Sequence, residues 1–222
     1  MLAIGVAAIL ALTSAQNGSQ PLPPMKMRSA ERLPSLVSGE TLGAGGSALL
    51  ATAGFPYLGA AWSQGITADW DAGAAIDMDL ALSELFAGPT IRVSLARRGA
   101  TSVALHARAG FYADLGADWV VSRNRANNGI QVAPGLAVSG RSPAGGVVTA
   151  ALHLPITATI RHGGAVVAPT ARVSYEAPLY GDLTIGARLG ATLRAASGGA
   201  PLADRDARFA VDLGALLTYR LF

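Results

Sequence analysis

The sequence predicts an all-β protein, a closed antiparallel up-and-down transmembrane β-barrel of about ten strands. Three observations predict it. Long segments alternate apolar and polar residues, as a strand does when successive side chains point to opposite faces. Only 14% of the residues are charged and 51% are hydrophobic, whereas a soluble domain carries about 25% charged residues. No apolar run reaches the length of about 18 residues that a membrane-spanning helix needs. Strands so poor in charge cover a watery surface badly, but suit a barrel with its greasy faces toward lipid and its polar faces in the lumen.

The elements follow in chain order. "LAIGVAAILAL" (Leu2 to Leu12) is an apolar run too short to span a bilayer, and "TSA" follows it with Ala15 at a cleavage position. Residues 1–15 therefore read as a signal peptide. Residues 16–39 carry "QPLPP" and mixed charge without periodicity, and read as a linker or disordered lead-in. The barrel is expected over 40–222.

Within it, Thr41 to Ala53 and Pro56 to Ile66 are Gly/Ala-rich strands, "GAGG" at Gly43 to Gly46 being small residues in a curved strand. Asp71 to Leu80 puts Ala72, Ala74, Ile76, Met78 and Leu80 on one face and Asp71, Asp77 and Asp79 on the other. Ile91 to Ala96 is shorter. Ser102 to Ala113 separates Val103, Leu105, Ala107, Ala109 and Phe111 from His106, Arg108 and Tyr112. Ile130 to Ser139 follows, and then Val148 to Ile160, whose polar face holds Thr149, His153, Thr157 and Thr159. Ala165 to Ala177 and "LTIGARLGATLR" (Leu183 to Arg194) come next, the latter with Arg188 and Arg194 opposite Ile185, Leu189 and Leu193. The last segment alternates Phe209, Val211, Leu213, Ala215, Leu217, Tyr219 and Leu221 with Arg208, Asp212, Thr218 and Arg220.

The two longest connections, 114–129 and 196–207, fall on the same side of such a barrel; the other side has tight turns such as "TADW", "ARRGA" and "PLYGD". Long extracellular loops opposite short periplasmic turns are the asymmetry of outer-membrane barrels. Tyr57, Trp70, Phe111, Tyr175, Tyr180 and Tyr219 lie near strand ends, where interfacial girdles sit.

On these features the chain resembles bacterial outer-membrane β-barrel proteins: an apolar leader, alternating strands, and a last strand "FAVDLGALLTYRLF" ending in an aromatic residue. The resemblance implies a bacterial outer-membrane location, membrane lipids as partners, and a C-terminal strand read by the barrel assembly machinery. In one respect this chain departs from the pattern, because Tyr219 and Phe222 are three residues apart and out of phase.

If the apolar faces meet lipid, the lumen collects Asp71, Asp77, Asp79, Glu176 and Asp212 against Arg92, Arg108, Arg161, Arg172, Arg188, Arg194, Arg208 and Arg220, with His106 and His153 beside them. Charges in a narrow interior need partners. The expectation is a network of Arg–carboxylate pairs in a lumen that is plugged or passes little, since a barrel of about eight strands holds only side chains. The competing expectation is an anion-selective passage.

Catalysis finds little support. There is no G-x-S-x-G elbow, and no serine lies two residues from a histidine, although a cross-strand pair such as His106 with Ser94 is conceivable. No cofactor or metal is expected: "RHGG" (Arg161 to Gly164) lacks ligand spacing, and cysteine is absent. The arginines are scattered rather than clustered, which argues against nucleic acid. The sequence thus points to a non-enzymatic barrel, structural or narrowly pore-like. Alternatives are an adhesion barrel that binds an external ligand through 114–129 and 196–207, with "SRNRANN" the most exposed piece, or a lipid-modifying enzyme.

Overall fold

The structure, a computed structural model, describes residues 33–81, 83–115, 128–160, 163–198 and 208–222. They form an all-β closed antiparallel barrel without helices. Its strands are β1 (Ser47–Phe55), β2 (Tyr57–Gly65), β3 (Trp70–Asp79), β4 (Glu84–Arg98), β5 (Thr101–Asp114), β6 (Asn128–Arg141), β7 (Val147–His153), β8 (Ile156–Thr159), β9 (Gly164–Val167), β10 (Thr170–Tyr180), β11 (Leu183–Gly198) and β12 (Arg208–Arg220). Consecutive strands pair from β1 to β7, from β8 to β9 and from β10 to β12, while β7 also pairs with β10, β8 with β6, and β9 with β11. The sheet closes where β1 meets β12, with Leu49 opposite Tyr219 and Ala53 opposite Ala215.

Ten crossings make the wall, as the alternation predicts, because two of them are interrupted. β7 and β8 are halves of one crossing broken at Leu154–Pro155, and β9 and β10 are halves of the next, broken at Ala168–Pro169. Proline has no N–H for the ladder, and each break falls beside one. The wall is held across them by bonds that use the remaining groups, such as Ala168 N–H to the Pro155 carbonyl at 2.9 Å.

Three expectations about where the elements begin and end need correction. β1 starts at Ser47 rather than Thr41. Gly43 and Gly45 have φ of 82° and 78°, which suit glycine, and they turn the chain before the strand begins. That turn is clamped to the end of β2, with Gly45 N–H on the Gly65 carbonyl at 2.9 Å and Gly65 N–H on the Gly46 carbonyl at 2.7 Å. A Cβ on Gly65 would stand 1.7 Å from the Gly43 carbonyl oxygen. Gly65→Ala is therefore expected to lower stability by about 1–3 kcal/mol, the range for forced overpacking, in a denaturant titration of the folded barrel. A cost near zero would mean that the turn moves freely.

β4 is much longer than Ile91 to Ala96. Gly88 and Pro89 obscure the alternation in "ELFAGPT", but β3 pairs with β4 from Glu84 to Val93 and β5 pairs with it between Glu84 and Arg98. Finally, the stretch read as a lead-in ends inside the barrel. Ser35 and Ser38 are 2% and 1% exposed, and Glu40 and Thr41 are also buried. The signal peptide expected over 1–15 lies outside the described residues, as do the lead-in up to residue 32, Arg161 and most of both long connections.

In an antiparallel ring the connections alternate between ends. The connections after β5 and β11, which contain the long loops, leave from one end together with those after β1, β3 and β8. The short links 66–69, 99–100, 142–146 and 181–182 form the other end, here called the turn end, where β1 also begins.

Polarity is arranged with the grease outside. Leu105, Ile130, Leu189, Leu213 and Phe209 are 47%, 58%, 56%, 65% and 70% exposed, while Asp71, Arg92, Glu176 and Asp212 are buried. Phe55, Phe111 and Phe209 are exposed near the long-loop end, and Tyr175, Tyr180, Tyr219 and Phe222 toward the turn end. Tyr57 departs from this girdle: it lines the lumen, near the guanidinium groups of Arg172 and Arg188.

Candidate functional site

The lumen is the candidate site, and its turn end is filled by the chain's own residues 33–42. This segment has no regular secondary structure, so its backbone groups take partners from the wall. The Pro34 carbonyl accepts from Thr184 Oγ1 at 3.0 Å. Ser35 Oγ donates to the Glu176 carboxylate. Arg92 Nη1 donates to the Ser35 and Ser38 carbonyls at 2.7 and 3.2 Å. Gly39 N–H donates to Ser139 Oγ at 2.6 Å, and Leu42 N–H to Asp71. The wall makes room with small inward residues: Ala104 faces Ala137 and Ser102 faces Ser139 across β5 and β6, and all four are buried. Gly39 fits where any side chain would not, since its Cβ would meet the Ser102 carbonyl oxygen at 2.8 Å.

The expected ion-pair network is present. Arg92 bonds Asp71 through Nε at 2.8 Å and through Nη2. Arg108 pairs with Asp77, reaches Gln131 Oε1 at 3.3 Å, and stacks on the Phe86 ring at 4.2 Å. Arg194 grips Glu84 with both Nη atoms, at 2.9 and 2.5 Å. Arg172 and Arg188 share Asp212, each at 3.4 Å. Arg141 at the turn end holds Glu40 with Nε and Nη2. The alternation misses Arg141, Glu84 and Glu40. Arg141 is in phase with Ser139, and Glu84 with Phe86, so extending the alternation finds both; Glu40 belongs to the aperiodic segment and carries no such signal.

The remaining predicted lumen residues are also placed. Glu176 is 1% exposed and accepts from Ser35 and from Thr218 Oγ1 at 3.4 Å. Asp79 is buried at the long-loop end, and its Oδ1 accepts from Ala81 N–H at 2.9 Å. Arg220 ends β12 at the turn-end rim. The side chain of Arg208 lies outside the described residues. His106 and His153 meet edge to face, with ring centroids 6.1 Å apart. Across β4 and β5, His106 faces Arg92, while Ser94 faces Ala104.

Two cavities are lined by the described lumen residues. One, of about 180 Å3, is floored at the turn end by Leu36 and Val37 of the inserted segment. The other, of about 140 Å3, is lined by Tyr57, Glu84 and Arg194 toward the long-loop end. Asp77, Arg108, His153, Arg172 and Arg188 line both and form a charged belt between them. The arrangement can therefore exclude bulk water from the turn end and present guanidinium groups to anything small in the middle of the lumen.

No protein family profile matches this chain, and no curated protein or solved structure is significantly similar to it.

Proposed function

We propose that this chain is a β-barrel of the bacterial outer membrane with a structural or narrowly pore-like role, its lumen closed at one end by its own residues 33–42. One observation carries the reading. Large apolar side chains cover the outside of every long strand, while carboxylates and guanidinium groups fill the inside. Water would reward the reverse, and a contiguous apolar surface of this extent in water is an aggregation site. A bilayer rewards the observed arrangement. Closure adds support, because no strand edge is left without backbone partners in lipid.

On this reading lipid acyl chains meet Leu189, Leu213 and their neighbours, and the exposed phenylalanine and tyrosine rings near the two ends sit at the headgroups. The long connections face outward from the cell, and β12 is the strand presented to the assembly machinery. The role is narrow because the belt of Arg108, Arg172 and Arg188 crosses the lumen above the inserted segment.

The test is fractionation of the full chain made in a Gram-negative host. The protein is expected in the outer-membrane fraction. On a denaturing gel, its unboiled form should migrate differently from its boiled form. A soluble periplasmic product without that shift would overturn the proposal.

A further inference from the structure

We propose that the lumen carries a binding site for one small oxyanion, of the size of phosphate or a short carboxylate, at Arg172 and Arg188. Among the described residues, four lumen arginines each have a carboxylate to themselves: Arg92, Arg108, Arg141 and Arg194. Arg172 and Arg188 instead share Asp212, which is 3% exposed, and both contacts are 3.4 Å. A charge-assisted N–H···O bond is shorter, about 2.7–2.9 Å. Two guanidinium groups against one carboxylate leave one positive charge unmatched at this place.

Unpaired atoms point to the same cavity. Among the described residues, Arg188 Nε, Thr52 Oγ1 and His106 Nε2 are buried without a hydrogen-bond partner, the first of them facing the equally unpartnered Asp212 Oδ1 at 3.4 Å. All three residues line the cavity of about 180 Å3, as does Arg172. Protein interiors rarely leave such atoms unsatisfied. The cavity far exceeds the roughly 10–15 Å3 that one water requires, so space does not exclude a ligand. Water would satisfy the polar atoms but not the surplus charge; an oxyanion does both. It is small, because Leu36 and Val37 close one end and the charged belt bounds the other. The site does not rest on the membrane reading, since the cavity is inside the barrel whatever surrounds it.

The experiment is calorimetric titration of the full-length folded protein with sodium phosphate and, separately, sodium acetate, at constant ionic strength. At least one of the two is expected to bind saturably with a stoichiometry of one. Arg188→Gln should weaken that binding roughly tenfold or more, the usual effect of removing a charged hydrogen-bonding partner. Thr52→Val, which keeps the side chain's shape and removes only the orphaned hydroxyl, should weaken it less. If Arg188→Gln does not fold, Arg188→Lys carries the comparison, because it keeps the charge and removes Nε. The absence of saturable binding by either anion, or an affinity unchanged in both the Arg188 and Thr52 variants, would overturn the proposal.

Discussion

Replacing Leu189 with arginine is expected to destabilise the folded barrel in lipid vesicles by about 2–4 kcal/mol, the cost of arginine at the midplane of a barrel's lipid face. Leu189 stands in the middle of β11, 56% exposed on the outer face, with Leu213 and Val173 as its cross-strand neighbours. Were that face in water, the same change would remove exposed grease and add a solvated charge, and would fall within about 0.5 kcal/mol of zero. Depth supplies the control. Tyr180 ends β10 at the turn end and is 85% exposed, so Tyr180→Arg should cost only about 0–1 kcal/mol near the interface. Urea unfolding of the full chain in vesicles measures both. Small and equal costs at the two positions would put water, not hydrocarbon, around β11.

The second large effect lies inside. Arg92→Met is expected to destabilise the barrel by about 3–5 kcal/mol, because it leaves the Asp71 carboxylate buried without its counterion. Asp71 is 0% exposed, and Arg92 is 5% exposed. The arginine also donates to the Ser35 and Ser38 carbonyls. Its loss should therefore loosen the inserted segment as well as the wall, and amide exchange at Leu36 to Gly39 should quicken. The double variant Arg92→Met/Asp71→Asn removes both charges and should recover part of the loss, with a coupling energy visible in a double-mutant cycle. A single variant as stable as the parent would mean that the pair contributes no net stability and that the segment is held by its other bonds, among them those to Ser35, Gly39, Glu40 and Thr184.

The two predictions concern opposite faces of one wall, and so bear on different parts of the proposal. The Leu189 comparison tests the surroundings of the barrel. The Arg92 series tests whether residues 33–42 are a built part of the lumen. On the proposed reading the ion-paired segment narrows the turn end of the lumen, which fits a structural or narrowly pore-like role. The oxyanion proposed at Arg172 and Arg188 would sit above the segment, against Leu36 and Val37.

By itself the sequence determined the strands and their faces. Period-two alternation is local: Ile185, Leu189 and Leu193 must point one way if Arg188 and Arg194 point the other, whatever the neighbours are. The shortage of charge then chose the outward direction for the grease, and the lumen set of Asp71, Asp77, Glu176, Asp212, Arg92, Arg108, Arg172, Arg188 and Arg194 followed. Strand ends were less legible at Gly43 to Gly46 and through Gly88–Pro89, where turn geometry and pairing with two neighbours outweigh the local pattern. Tertiary structure alone decided the partners. Which carboxylate each arginine meets depends on strand order, stagger and side-chain reach across the lumen: Arg194 finds Glu84 110 residues away, and Arg172 and Arg188 converge on one aspartate. It alone decided the fate of residues 33–42 as well. The aperiodic part up to residue 39 looks like a linker because nothing local orders it; here Glu176, Arg92, Ser139 and Arg141 order the segment, through bonds that span 54 to 141 residues of chain.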